Sequence, residues 1–117
     1  MNAKEFYANF PAEMEKAKLQ AAPIMSGFGS LFSKCMAAGA MTVKEKELVA
    51  VGIAVALRCE PCIFAHAKKC LEAGATREQI IEAAGVAVVM AGGPAYMHVT
   101  AVIDALDALD GKKSGGH

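Results

Sequence analysis

Four prolines divide the chain, at Pro11, Pro23, Pro61 and Pro94, and each stands ahead of a stretch with helical character. Proline suits the first turn of a helix, because φ is preset there and the missing N–H has no partner to lose. Two pairs three residues apart, Thr42 with Glu45 and Thr76 with Gln79, have the form of capping boxes, in which side chain and backbone satisfy each other's donors. No stretch alternates apolar and polar residues between hairpin dipeptides, so no strand is expected.

These marks place about six helices. The first opens at Pro11 and Glu13 and runs to about Gln20, and Pro23 starts a second over Ile24 to Ala38 with Gly39 as its C-cap. The third covers Val43 to Leu57. A fourth carries Pro61 in its first turn and stops at Gly74, the fifth spans Arg77 to Ala91, and the sixth runs from Pro94 to Asp110. The expected fold is all-α, one domain over residues 1–110, with a polar, Gly-rich flexible tail, "GKKSGGH", at 111–117.

Composition narrows the function classes. Lys plus Arg number 12 and Asp plus Glu number 12, so there is no net charge and no basic stripe to hold a nucleic acid. The longest uncharged run, Ala83 to Ile103, is long enough to test as a membrane span. It is mostly small residues, is broken by Gly92-Gly93-Pro94, contains His98 and is flanked by Glu82 and Asp104, so two buried helices explain it better. The N-terminal residues lack an apolar run of signal-peptide length, which suggests a reducing, cytoplasmic setting with free thiols. High apolar content at zero net charge points to surface covered by further copies of the chain.

Chemistry concentrates in "CEPCIFAHAKKC", residues 59–70. On a helix Cys59, Cys62, His66 and Cys70 are spaced three, four and four, and fall along one face. A helix start favours thiolates through the unpaired N–H groups and the dipole, and His66, one turn beyond Cys62, can take a proton from it. Ten mostly apolar residues and then Arg58 separate the acid-containing run "KEKE" from Cys59. In that run Glu45 belongs to the capping box, Lys44 and Lys46 look solvated, and Glu47 borders the buried stretch. A partly buried carboxylate facing the thiols would have a raised pKa and could relay protons near neutrality. Its plainer alternative is a surface pairing with Arg58 or a lysine.

The stretch "KEKELVAVGIAVALRCEPCIFAHAKKCLEAGATREQIIEA" resembles the central motif of the carboxymuconolactone decarboxylase family, in particular its alkylhydroperoxidase D-like branch, whose signature is Glu, an apolar helix, then C-x-x-C-x-x-x-H. Members with both cysteines resemble thiol peroxidases, whereas the decarboxylases lack the pair. By that resemblance Cys62 attacks a hydroperoxide, Cys59 resolves the product to a disulfide, and Glu47 and His66 relay protons. The resemblance further implies no flavin, haem or metal cofactor. It implies an external lipoyl-type or thioredoxin-type dithiol reductant, and a trimer or hexamer that would cover the apolar fifth and sixth helices. The chain departs from the best-studied branch at the position before Cys62, where Pro61 replaces a histidine. Dipole reasoning alone makes Cys59 the more acidic thiol, while the resemblance assigns attack to Cys62.

Other readings stay open at the level of sequence. The pair could serve general thiol–disulfide exchange. Cys59, Cys62, His66 and Cys70 also form an N/S set of the kind zinc accepts, although Cys59 and Cys70 would lie about 16 Å apart along a helix. The cysteines could be simple core residues, or the domain an interaction protein without catalysis. Cys35 and Cys70 read as core thiols, His98 and Tyr96 as packing residues, and the methionines as core or interface filler.

Overall fold

The computed structural model describes residues 1–110, and the tail expected at 111–117 lies outside them. Six helices account for nearly all of it: α1 (Ala3–Gln20), α2 (Ala22–Met36), α3 (Val43–Leu57), α4 (Glu60–Glu72), α5 (Arg77–Ala91) and α6 (Gly93–Asp110). Among the described residues there is no strand. None of these helices is long and apolar enough to cross a membrane.

The capping boxes mark the starts of α3 and α5. Thr42 Oγ1 accepts the Glu45 N–H at 3.0 Å and Glu45 returns the bond to the Thr42 N–H, and Thr76 and Gln79 repeat the pattern. The core is built from one face of each of α3, α4, α5 and α6. Val51 and Val55, Ile63 and Phe64, Ile80 and Ala84, and Val102 and Ala105 are fully or almost fully buried. Gly52 lets α3 and α5 approach closely, since a Cβ there would sit 3.4 Å from the Ala83 carbonyl oxygen. Arg77 and Asp107 join α5 to α6 at 2.8 Å, and the Ala3 N–H donates to Asp104 on α6 at 2.9 Å.

Two helices differ from expectation. α1 begins eight residues before Pro11, at Ala3, because Asn2 caps it: its side chain accepts the Glu5 N–H at 2.8 Å and Glu5 answers the Asn2 N–H. Pro11 therefore sits inside the helix, where the Tyr7 carbonyl loses its N–H partner. Burial of Phe6 against Phe64, with Phe10 stacked on Phe6, offsets that loss. α2 starts at Ala22 and ends at Met36, so Gly39 is not its C-cap. Ala37 turns extended, and Lys46 Nζ takes the Cys35 and Ala37 carbonyls at 2.8 and 2.7 Å. Lys46, expected to be solvated, is thus the cation that closes α2. α2 itself buries no residue.

Candidate active site

The connection from α3 to α4 aims the dithiol. Arg58 adopts the left-handed conformation (φ 59°), its N–H donating to the Val55 carbonyl and the next N–H, from Cys59, to the Ala54 carbonyl. This is a Schellman closure, the same one that ends α4 at Gly74, but with arginine in the position glycine normally takes. It reverses the chain within two residues and delivers Cys59 as the N-cap of α4, with Pro61 in the first turn.

Cys59 and Cys62 are paired as a disulfide, with their Cα atoms 5.2 Å apart. Cys59 Sγ also accepts the Cys62 N–H at 3.3 Å, so this sulfur fills the place of a capping oxygen. Cys59 is half-buried and Cys62 exposed. The two are therefore inequivalent: negative charge is best stabilised at Cys59, while Cys62 is the sulfur a solute meets.

One turn further along α4, His66 Nδ1 lies 2.6 Å from Oε1 of Glu47 on α3. Glu47 is only 3% exposed and is the one charged side chain buried among the described residues. It pairs with His66, not with Arg58 or a lysine. An ionised carboxylate can only accept, so Nδ1 carries the hydrogen and Nε2 keeps its lone pair for an incoming proton. The contact to the buried carboxylate holds the imidazole in one orientation and gives a cation formed on it an immediate counter-charge.

Phe32 of α2 lies over the same histidine, with ring centroids 5.9 Å apart, and Lys69 Nζ stands 5.3 Å from the Phe32 ring centre. Across α4, the Tyr7 hydroxyl donates to the Phe64 carbonyl at 2.6 Å, and burial together with the Asp104 charge pushes that phenol well above its ordinary range. Neither Phe32 nor Tyr7 was singled out in the sequence. The available signals were the four-residue spacing of Phe28 and Phe32 and the aromatic run Phe6, Tyr7, Phe10.

The remaining thiols separate. Cys70 is fully buried, and burial, with Glu47 nearby as a lesser cause, pushes its pKa up to about 12. Cys35, expected in the core, is exposed, because α2 turns no residue fully inward. His98 is half-buried with Nδ1 2.8 Å from the Pro94 carbonyl of its own helix, and Tyr96 is mostly exposed, so the expectation of packing fails for the tyrosine. Among the described residues no three His, Cys, Asp or Glu side chains are grouped as metal ligands.

With this arrangement in place, relatives can be assigned. The carboxymuconolactone decarboxylase family model matches residues 22–105. A Paracoccus denitrificans protein, uncharacterized protein 4 in the cox locus, is 40% identical over 90 residues, covering 77% of this chain and 81% of its own length. An uncharacterized protein of Cupriavidus necator is 35% identical over 86 residues, covering 74% of this chain and 76% of its own length. Among solved structures, a carboxymuconolactone decarboxylase family protein from Legionella pneumophila superposes with a TM-score of 0.82 at 32% identity, covering 95% of this chain and 96% of that one. One from Thermotoga maritima, described with a suggested involvement in an antioxidative response, gives 0.77 at 29% identity and covers 96% of this chain and 95% of its own. The chain belongs to the carboxymuconolactone decarboxylase family.

Proposed function

We propose that the protein is a thiol-dependent peroxidase of the alkylhydroperoxidase D-like type, and that Cys62, Cys59, His66 and Glu47 carry its reaction. One observation carries this reading: a redox-capable pair, Cys59–Cys62, at a helix start, one turn from a histidine backed by a buried carboxylate. The suggested antioxidative involvement of the Thermotoga relative points the same way.

In the reduced protein His66 Nε2 accepts the Cys62 thiol proton, and Glu47 stabilises the imidazolium. The Cys62 thiolate attacks the distal oxygen of a hydroperoxide, the O–O bond breaks, and the alkoxide leaves with the proton held on His66. Cys62 is then a sulfenic acid. The Cys59 thiol, whose anion is favoured by its capping position, loses its proton and attacks that sulfur; the S–O bond breaks and the departing hydroxide takes up that proton as water, leaving the disulfide. An external dithiol of lipoyl or thioredoxin type restores both thiols by exchange and is itself oxidised. No flavin, haem or metal enters this cycle. A cytoplasmic setting, where such dithiols are kept reduced, fits it.

Self-association into a trimer or hexamer belongs to the same proposal. It is supported by an apolar groove of about 400 Å³ between α3 and α5, lined by Val49, Ile53, Val86 and Met90. General disulfide exchange is a second reading, favoured by the exposure of Cys62.

The test is to mix fully reduced, metal-free protein with a small excess of an organic hydroperoxide, follow peroxide loss and map disulfides by mass spectrometry. Fast loss with a 59–62 disulfide is expected. Cys62→Ser should abolish it and Cys59→Ser should accumulate sulfenic acid at Cys62. Reaction no faster than a free thiol, with rapid exchange against protein disulfides, would replace this reading by the second.

A further inference from the structure

α2 is unlike the other helices. It is largely apolar, yet it buries nothing, and its C-terminal end is closed by Lys46, the neighbour of Glu47. What it brings to the interior face is Phe32, half-buried against the His66 ring, with Phe28 one turn earlier, its ring 6.1 Å from that of Phe32 and 63% exposed. Lys69, three residues beyond His66, lies by the Phe32 ring, so the contacts that Phe32 makes to α4 fall on one face of that helix.

We propose that Phe32, extended by Phe28, is the specificity-determining surface of the site, seating the non-reacting substituent of whatever Cys62 attacks. This rests on the peroxidase reading for the identity of the substrate. In that reaction the leaving oxygen receives its proton from His66, so the group attached to that oxygen lies within a few ångströms of the ring. The ring's aromatic neighbour at 5.9 Å is Phe32. A carbon substituent placed there meets an apolar face and displaces water from it, whereas hydrogen peroxide has nothing to place. The site thus selects hydroperoxides bearing an alkyl or aryl group, and the selection is made by a helix that contributes no group to the chemistry.

The experiment compares reduced wild type, Phe32→Ala, Phe32→Leu and Phe28→Ala in two assays. In the first, kcat/KM for cumene hydroperoxide is divided by that for hydrogen peroxide. In the second, which involves no peroxide, the rate of N-benzylmaleimide addition at Cys62, located by mass spectrometry, is divided by that of N-methylmaleimide. Both ratios are expected to fall on the order of tenfold in Phe32→Ala, the equivalent of one lost aromatic contact. Phe32→Leu should recover part of the loss, and Phe28→Ala, whose exposure makes misfolding no concern, should show a smaller fall. Ratios equal to wild type in Phe32→Ala and Phe28→Ala would overturn the proposal. Should wild type turn over neither peroxide, the peroxidase reading fails, and the maleimide ratio still decides whether the aromatic surface selects substituents at Cys62.

Discussion

At the scale of single residues the pairing of Glu47 with His66 matters most. A charged side chain taken out of water costs several kcal/mol unless it is paired, and Glu47 meets that need through the 2.6 Å contact to His66. Glu47→Gln keeps the shape but removes the ionised acceptor. Hydroperoxide attack by Cys62 should slow about 10²-fold to 10³-fold with the circular dichroism spectrum unchanged, and single-turnover kinetics would measure it. His66→Ala combined with Glu47→Gln should be little worse than His66→Ala alone, because the two act as a unit. Cys70 and Cys35 give a second residue-scale contrast. With its thiol pKa pushed up to about 12, Cys70 stays protonated and enclosed, so iodoacetamide at pH 8 should label Cys35 and spare Cys70 in the native protein. The sign for stability follows from the same shift. The folded state holds the Cys70 proton more tightly than the ordinary value of 9.0 allows, so this contribution is complete below pH 9 and is lost as pH rises toward 12. Denaturation curves across that window should show a shallower decline in Cys70→Ala.

At the scale of elements, the left-handed Arg58 stands between the helix that carries Glu47 and the helix that carries the thiols. A side chain in that conformation costs about 1–2 kcal/mol, and glycine returns part of the gain through unfolded-chain entropy. Arg58→Gly should therefore raise stability by about 0.5–1 kcal/mol in urea titrations. A decrease would show that the arginine side chain holds the turn by a contact of its own. How far the elements could be read in advance follows from similar local chemistry. α3, α5 and the stop of α4 at Gly74 were legible because their signals are local: capping boxes and a left-handed glycine. α1 was not, because Pro11 reads as a helix start in isolation, and what carries the helix through it is the Asn2 cap and aromatic packing on Phe64, a residue far away in sequence. The site divides in the same way. Cys59, Cys62 and His66 share one helix and were placed by spacing alone, and Glu47 could be suspected from its position at the edge of an apolar run. Phe32 and Lys46 act across helices, through a side chain over His66 and a cation on α2's final carbonyls, and no local pattern announces such contacts.

At the scale of the whole molecule, several large apolar side chains stand exposed. On α5, Val89 and Met90 are 83% and 80% exposed, beside the groove that Gly52 opens between α3 and α5. With no net charge to keep copies apart, we place the proposed self-association on this face. Sedimentation should show a trimer or hexamer for wild type and smaller species for Val89→Glu with Met90→Glu, while a wild-type monomer at tens of micromolar would refute the assignment of that face. The central claim, however, is that the two cysteines cycle together against a hydroperoxide. It is tested most directly by counting. Fully reduced protein is titrated with cumene hydroperoxide below one equivalent, and thiols lost, peroxide consumed and the 59–62 disulfide are quantified in the same samples. The account predicts two thiols lost and one Cys59–Cys62 disulfide formed for each hydroperoxide consumed. Peroxide consumed without that disulfide, or thiols lost no faster than from a free cysteine, would contradict it.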